Sequence, residues 1–175
     1  MKIRFPALAI LLFAATAMPL ATATPGADAL SWVKAHQQPN GAIVDAEYAE
    51  HQTALPLLAL VTAEGEGNNA TAAAGWLAGK LNNPNAWFYG SWGEADVPAV
   101  MLWAVAQAGK KNLVDEATVR PKLYSFRNAS NGGFNGYYDA VAGGAVASSA
   151  DTALAVLGLQ KAGWLGSNAS SAIAF

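Results

Sequence analysis

The chain repeats one pattern three times: an amphipathic helix, a polar turn that ends in a bulky apolar residue, and a second helix rich in alanine and leucine. The copies align at Trp32, Trp76 and Leu123, which are separated by 44 and then 47 residues. Repeats of this length form arrays of helical hairpins, because one hairpin buries its apolar face against the next. The repeat therefore predicts an all-α fold.

The apolar second helices are predicted to contain residues 53–60, 98–105 and 152–159. We expect three stacked hairpins, and no segment shows the alternation of apolar and polar residues that is typical of a strand. The predicted repeats are at about 28–68, 69–112 and 113–164, followed by the start of a fourth at 167–175. An unfinished repeat would expose an apolar edge, which favours a homo-oligomer or further C-terminal repeats.

The N-terminus has the pattern of a secretory signal peptide. Lys2 and Arg4 precede an uncharged apolar run from 7 to 21, and Ala21-Thr22-Ala23 has the small residues of a cleavage site. A membrane anchor is the alternative, but the run is short and is interrupted by Pro19. The sequence thus predicts a signal peptide at 1–23, a secreted protein, and one repeat domain at 24–175.

Composition excludes several classes of function. The formal net charge is −2, and the sequence lacks the basic face that nucleic acid binding requires. Cysteine is absent, so disulfides, thiolate zinc sites and a cysteine nucleophile are excluded. Three Asn-x-Ser/Thr sequons, at Asn69, Asn128 and Asn168, predict a glycoprotein, although chance sequons are frequent in a chain rich in these residues.

The repeat resembles a known family pattern. The QW-type repeat of terpenoid cyclases has an aromatic and an aliphatic residue, then Gln, Gly and Trp at fixed offsets. The first copy has Trp32, Val33, Gln37, Gly41 and Ile43 at these positions; the second has Trp76, Leu77, Leu81, Asn85 and Trp87; the third has Leu123, Tyr124, Asn128, Gly132 and Phe134. This resemblance implies an α/α toroid, the fold that terpenoid cyclases share with protein prenyltransferase β subunits. Such toroids have five or six hairpins, so three hairpins would make an incomplete toroid.

The catalytic motifs of these enzymes are not complete in this chain. The resemblance aligns the Asp-x-Asp-Asp-Thr-Ala motif of the protonating cyclases with residues 148–153, where Ala150 replaces the general acid and Asp151 matches. Alanine cannot donate a proton, and a prenyltransferase zinc site needs the cysteine that this chain lacks. Both observations argue against an enzyme and favour a non-catalytic binding or interaction module. Asp151 then has a simple explanation as an acidic residue in the first turn of a helix.

Two alternative functions remain. The chain could be part of a terpene cyclase-like or prenyltransferase-like enzyme, or it could be a carbohydrate-active α/α-toroid enzyme that uses two carboxylates. The acidic residues that could serve as catalytic groups are Glu47, Glu50, Glu94, Asp96 and Asp151.

Stacked hairpins place the starts of their second helices side by side. We therefore expect an acidic rim with aromatic residues, in which Trp87 and Phe134 pack between hairpins and Tyr89, Trp92, Tyr137 and Tyr138 are available to a ligand. Such a rim suits a glycan, a peptide, a cationic group or an apolar small molecule. We expect no cofactor and no metal site, because His51 near Asp45, Glu47 and Glu50 has no second imidazole nearby.

Overall fold

The computed structural model describes residues 25–44, 49–87, 94–139, 141 and 143–166. Six α-helices lie in these ranges: α1 (Pro25–Ala35), α2 (Ala49–Glu64), α3 (Asn68–Leu81), α4 (Asp96–Gln107), α5 (Glu116–Tyr124) and α6 (Ser149–Ala162). The prediction of an all-α fold is confirmed. None of these helices combines the length and apolar character needed to cross a bilayer. The predicted signal peptide and the start of a fourth repeat lie outside the described residues.

The second helices of the three repeats form one layer. α2, α4 and α6 lie side by side with α4 in the middle, and α3 packs against both α2 and α4. Nine of the twelve residues of α4 are buried, as expected for a helix with neighbours on several sides. The largest contact is between α4 and α6, where a Cβ at Gly158 would lie 2.6 Å from the carbonyl oxygen of Ala99. Glycine thus allows these two helices to approach closely.

The apolar residue at the end of each turn belongs to the core. Ile43, Trp87 and Phe134 are 0%, 8% and 1% exposed, which confirms that Trp87 and Phe134 serve packing. Burial of a large apolar side chain stabilises the fold by about 1.5–3 kcal/mol. The Trp87 indole also donates a hydrogen bond to the Lys80 carbonyl at 3.0 Å, which fixes the ring against the end of α3.

Side-chain amides connect each of the first two turns to the start of the next hairpin. Gln37 Nε2 donates to the Asn69 carbonyl at 2.8 Å, at the start of α3. In the second turn, where the repeat has leucine in place of glutamine, Asn82 takes this role. Its Nδ2 donates to the Leu113 carbonyl at 2.9 Å, and its Oδ1 accepts from the Asp115 N–H at 2.8 Å. Different positions thus supply the same kind of link.

The expectation that no segment forms a strand is wrong. Strands β1 (Asn135–Asp139) and β2 (Gly144–Ala147) form an antiparallel hairpin between α5 and α6. Contacts with the helix layer support it, since the N–H of Ala95 donates to the Asn135 carbonyl at 2.8 Å. β2 consists mainly of small residues, so the hairpin forms through these contacts and its own ladder rather than through an alternating apolar face.

Candidate functional site

Two aspartates lie at the N-terminal ends of adjacent helices. Asp96 is the first residue of α4, and Asp151 is in the first turn of α6. Because α4 and α6 pack against each other, the two carboxylates are close enough to affect each other electrostatically. A helix N-terminus favours a negative charge, so each helix start suits a carboxylate. The two carboxylates, however, repel each other.

Two buried oxygen atoms near the start of α4 have no hydrogen-bond partner in the part of the chain that the structure describes. They are Asp96 Oδ1 and Asn135 Oδ1. A buried polar atom without a partner costs about 1–3 kcal/mol, and most such atoms in proteins are satisfied. Both oxygen atoms can accept a hydrogen bond, so a ligand that donates hydrogen bonds would satisfy them. We name Asp96, Asp151 and Asn135 the acidic site.

The pKa of Asp96 is raised above the ordinary aspartate value. Burial of the carboxyl group is the largest cause, and the negative charge of Asp151 raises the pKa further. The backbone N–H of Val97 and the imidazole of His51 act in the opposite direction. Asp96 therefore holds its proton at a higher pH than an exposed aspartate does.

We predict that Asp96→Asn makes the protein more stable at neutral pH, with little effect at pH 3. The folded state binds the Asp96 proton more tightly than the unfolded state does. The resulting stabilisation is present below the unfolded pKa of about 3.9 and is lost as the pH rises through the folded pKa. Asparagine avoids this loss. Urea unfolding between pH 3 and pH 8 should show a difference in unfolding free energy between the Asp96→Asn variant and the wild type that grows with pH.

Glu116→Gln is the matched control for this measurement. Glu116 forms an exposed ion pair with Arg120 at 2.9 Å, and such pairs contribute little. The difference in unfolding free energy between the Glu116→Gln variant and the wild type should stay small from pH 3 to pH 8. If the gain in stability from Asp96→Asn became smaller with rising pH, the raised pKa of Asp96 would be contradicted.

The β-hairpin covers one side of Asp151. Gly136 in β1 lies so close to the Asp151 carboxylate that a Cβ at this position would overlap it, and the same Cβ would be 2.9 Å from Ser148 Cβ. Glycine in a strand often marks such a close approach. The Ser148 hydroxyl also accepts from the Asp151 N–H at 3.4 Å, at the start of α6. Both strand and cap thus restrict where the Asp151 carboxylate can lie.

The other described acidic candidates have different surroundings. Glu50 in α2 forms an ion pair with Lys80 of α3 at 3.4 Å, which holds it toward that helix. Glu94 precedes α4 and is partly buried. His51, in the first turn of α2, is exposed, and its charge affects Asp96. His51 therefore contributes to the electrostatic field at the acidic site from α2, which packs on the other side of α4.

Several predicted site residues cannot be placed in this arrangement. Glu47, Tyr89 and Trp92 lie outside the described residues. Tyr137 and Tyr138 are in β1, directly after Gly136, and pair with Val146 and Ala145 of β2. Their backbone thus lies beside the acidic site, and their part in an aromatic rim stays a prediction.

Two of the three sequons lie in the described residues. Asn69 is in the first turn of α3. Asn128 is in the turn after α5, where its Oδ1 accepts from the Ser130 N–H at 2.9 Å and from the Ser130 hydroxyl at 2.5 Å. Asn168 lies outside the described residues, and glycosylation of the three positions stays a prediction.

Sequence reasoning did not identify Asn135 as a site residue. The residue stands between Phe134, which occupies the aromatic position of the repeat, and Gly136. A polar residue between a core aromatic residue and a glycine could have indicated a site residue, because the core residue fixes the position of the adjacent backbone. Its contact with α4 depends on the hairpin, which the sequence pattern did not predict.

The acidic site presents oxygen acceptors and one carboxyl group with a raised pKa. In the described ranges, no three His, Cys, Asp or Glu side chains are grouped so that they could hold a metal ion. The arrangement can bind hydrogen-bond donors and positive charge, and it can exchange a proton. Comparisons with protein families, with curated proteins and with solved structures return no match to this chain.

Proposed function

We propose that this protein is an exported helical-repeat module that binds a cationic organic group, such as an arginine or lysine side chain of a peptide, at the acidic site. We further propose that it is a distant member of the terpenoid cyclase-type α/α-toroid superfamily. Two buried acceptors, Asp96 Oδ1 and Asn135 Oδ1, carry the functional proposal, because none of the described residues donates a hydrogen bond to them. A guanidinium or ammonium group supplies donors only, which is what these atoms lack.

Electrostatics supports the same ligand class. Asp96 and Asp151 repel each other, and a bound cation would relieve this repulsion while it replaces water around a partly buried carboxylate. Hydrogen bonds to charged groups contribute about 1.5–3 kcal/mol each. The two carboxylates would repel an anion, so the site selects against it.

Calorimetric titration with Nα-acetyl-argininamide tests the proposal. Nα-acetyl-citrullinamide is the matched probe, because it has nearly the same shape without the positive charge. We expect the arginine probe to bind about tenfold or more tightly than the citrulline probe, since one charge-assisted hydrogen bond is worth this factor. Asp96→Asn should weaken the arginine probe by a similar factor.

Glu116→Gln serves as the control variant, because Glu116 is an exposed carboxylate on α5, outside the acidic site. It should leave the affinity for the arginine probe unchanged. Equal binding of the two probes, or equal effects of the two substitutions, would refute a cation site at Asp96. Asp151→Asn should also weaken binding, because it removes the second negative charge of the acidic site.

Acid–base catalysis on a carbohydrate is a second candidate function. One observation favours it: a carboxyl group with a raised pKa lies beside a second carboxylate, and glycosidases use such a pair as proton donor and as base or nucleophile. Incubation with a panel of polysaccharides, followed by an assay for reducing ends, distinguishes the two functions. Product release that Asp96→Asn abolishes would establish the enzyme; binding of the arginine probe without turnover would favour the module.

A further inference from the structure

Two cavities lie along the C-terminal halves of α2, α4 and α6. One cavity of about 660 Å³ lies between α1, α2 and α4, and its wall includes Leu30, Val33 and Leu58. A second cavity of about 360 Å³ is lined by Trp103, Leu157, Gln160 and Lys161. Trp103 lines both cavities. We name the surface that contains the two cavities the Trp103 groove.

The cavity between α1, α2 and α4 has a mainly apolar wall, and the smaller cavity has a positive charge, that of Lys161. Ligand pockets are typically about 300–1,000 Å³ and mostly apolar, and both cavities lie in this range. Leu157 is 41% exposed, so apolar surface faces the solvent. Neighbouring helices are about 8–10 Å apart, and a groove that extends from α6 to α1 therefore has room for an extended chain.

Lys161 gives the groove its polarity. Lys34, Lys80 and Lys110 pair with Glu64, Glu50 and Glu66. Lys161, by contrast, has no ion pair among the residues that the structure describes. It lies in the last turn of α6, where the helix dipole favours a cation. An anionic group beside Lys161 would find a charge partner next to an apolar surface.

We propose that the Trp103 groove binds a long-chain fatty acid, with the carboxylate at Lys161 and the hydrocarbon chain across Trp103 toward α1. The charge of Lys161 favours an anionic head group such as a carboxylate, and the apolar wall favours a chain of methylene groups. This site is separate from the acidic site. Trp103 is seven residues beyond Asp96 in α4, about 10 Å along the helix axis.

Calorimetric titration of the purified protein with dodecanoate, below its micelle concentration, tests this inference. Dodecanol and dodecyltrimethylammonium have the same chain with a neutral or a positive head group. Dodecanoate should bind tightest, and decanoate should bind at least tenfold more weakly, since each buried methylene contributes about fourfold in affinity. Equal affinity for dodecanoate and dodecyltrimethylammonium, or no binding of dodecanoate, would overturn the proposal.

Two variants and two controls locate the site. Lys161→Glu should weaken dodecanoate about tenfold and leave dodecanol unchanged, while Lys122→Glu, a charge reversal on α5, should change neither. Leu157→Gln, at an exposed position, should weaken both ligands. Asp96→Asn should leave dodecanoate binding unchanged, so failure here and failure of the proposed cation site are separate results. A dimer in sedimentation that Leu157→Gln dissociates, with no dodecanoate binding, would assign the groove to a second copy and overturn the proposal.

Discussion

We expect Gly41→Ala to lower the free energy of unfolding by about 2–4 kcal/mol. Gly41 has a φ angle of 98°, a conformation that costs a residue with a Cβ about 1–2 kcal/mol. A Cβ would also overlap the carbonyl oxygen of Ala72 in α3 and lie 2.7 Å from its carbonyl carbon. Because these atoms belong to the backbone, α3 would have to move, and overpacking of this kind costs about 1–3 kcal/mol. Urea unfolding at pH 7 measures the loss.

Gly79→Ala is the control for Gly41→Ala. Gly79 is exposed in α3, and no atom lies within 4 Å of its Cβ position. Alanine is the better helix former by about 0.5–1 kcal/mol, so this variant should be slightly more stable than the wild type. If Gly41→Ala were as stable as Gly79→Ala, the close contact between Gly41 and α3 would be contradicted.

Thr53→Val should destabilise the protein by about 2–4 kcal/mol, although valine has nearly the same shape. The Thr53 hydroxyl is completely buried; it accepts from the Ile43 N–H at 2.9 Å and donates to the Ile43 carbonyl at 3.2 Å. Valine would leave both backbone groups without these partners, at about 1–3 kcal/mol each. Thr152 makes a corresponding bond, accepting from the Phe134 N–H at 2.8 Å. Thermal and urea unfolding of the variant measure the loss.

Thr53→Ser separates the hydroxyl group from the methyl group. Serine keeps both hydrogen bonds and removes one buried methyl, so it should cost about 1 kcal/mol. The hydroxyl would have no role in joining the turn to α2 if valine proved to be no more destabilising than serine.

The helices could be predicted because their signal is local and repeated. Small and branched apolar residues at 53–60, 98–105 and 152–159 indicated three buried helices, and the structure has α2, α4 and α6 there. The burial of Trp87 and Phe134 followed from their position in the repeat, where one bulky residue closes each turn. Both predictions depend on patterns within one hairpin, which is the range over which sequence periodicity is informative.

The β-hairpin could not be predicted by the same reasoning. β2 is composed of Gly144, Ala145, Val146 and Ala147, which lack an alternating pattern. Its pairing with β1, and the contact of β1 with the start of α4, depend on residues that are distant in sequence. Tertiary contacts decide strand formation more often than local propensity does.

The acidic site could be predicted only in part. The repeat indicated that the starts of the second helices would be neighbours, but it did not distinguish Glu50, which pairs with Lys80, from Asp96, which keeps an oxygen without a partner among the described residues. The close contact of Gly136 with Asp151 comes from the hairpin and was therefore not predicted. Which carboxylates act together is a property of packing rather than of spacing.

The most direct test of the central claim is the pH titration of the Asp96 side-chain carboxyl carbon by nuclear magnetic resonance, with and without Nα-acetyl-argininamide. Without the probe, we expect a pKa above the ordinary aspartate value, because the carboxyl group is partly buried beside Asp151. With the probe bound, the pKa should fall, since a nearby positive charge favours the ionised form. An ordinary pKa that the probe does not change would contradict the proposal that the acidic site binds a cation.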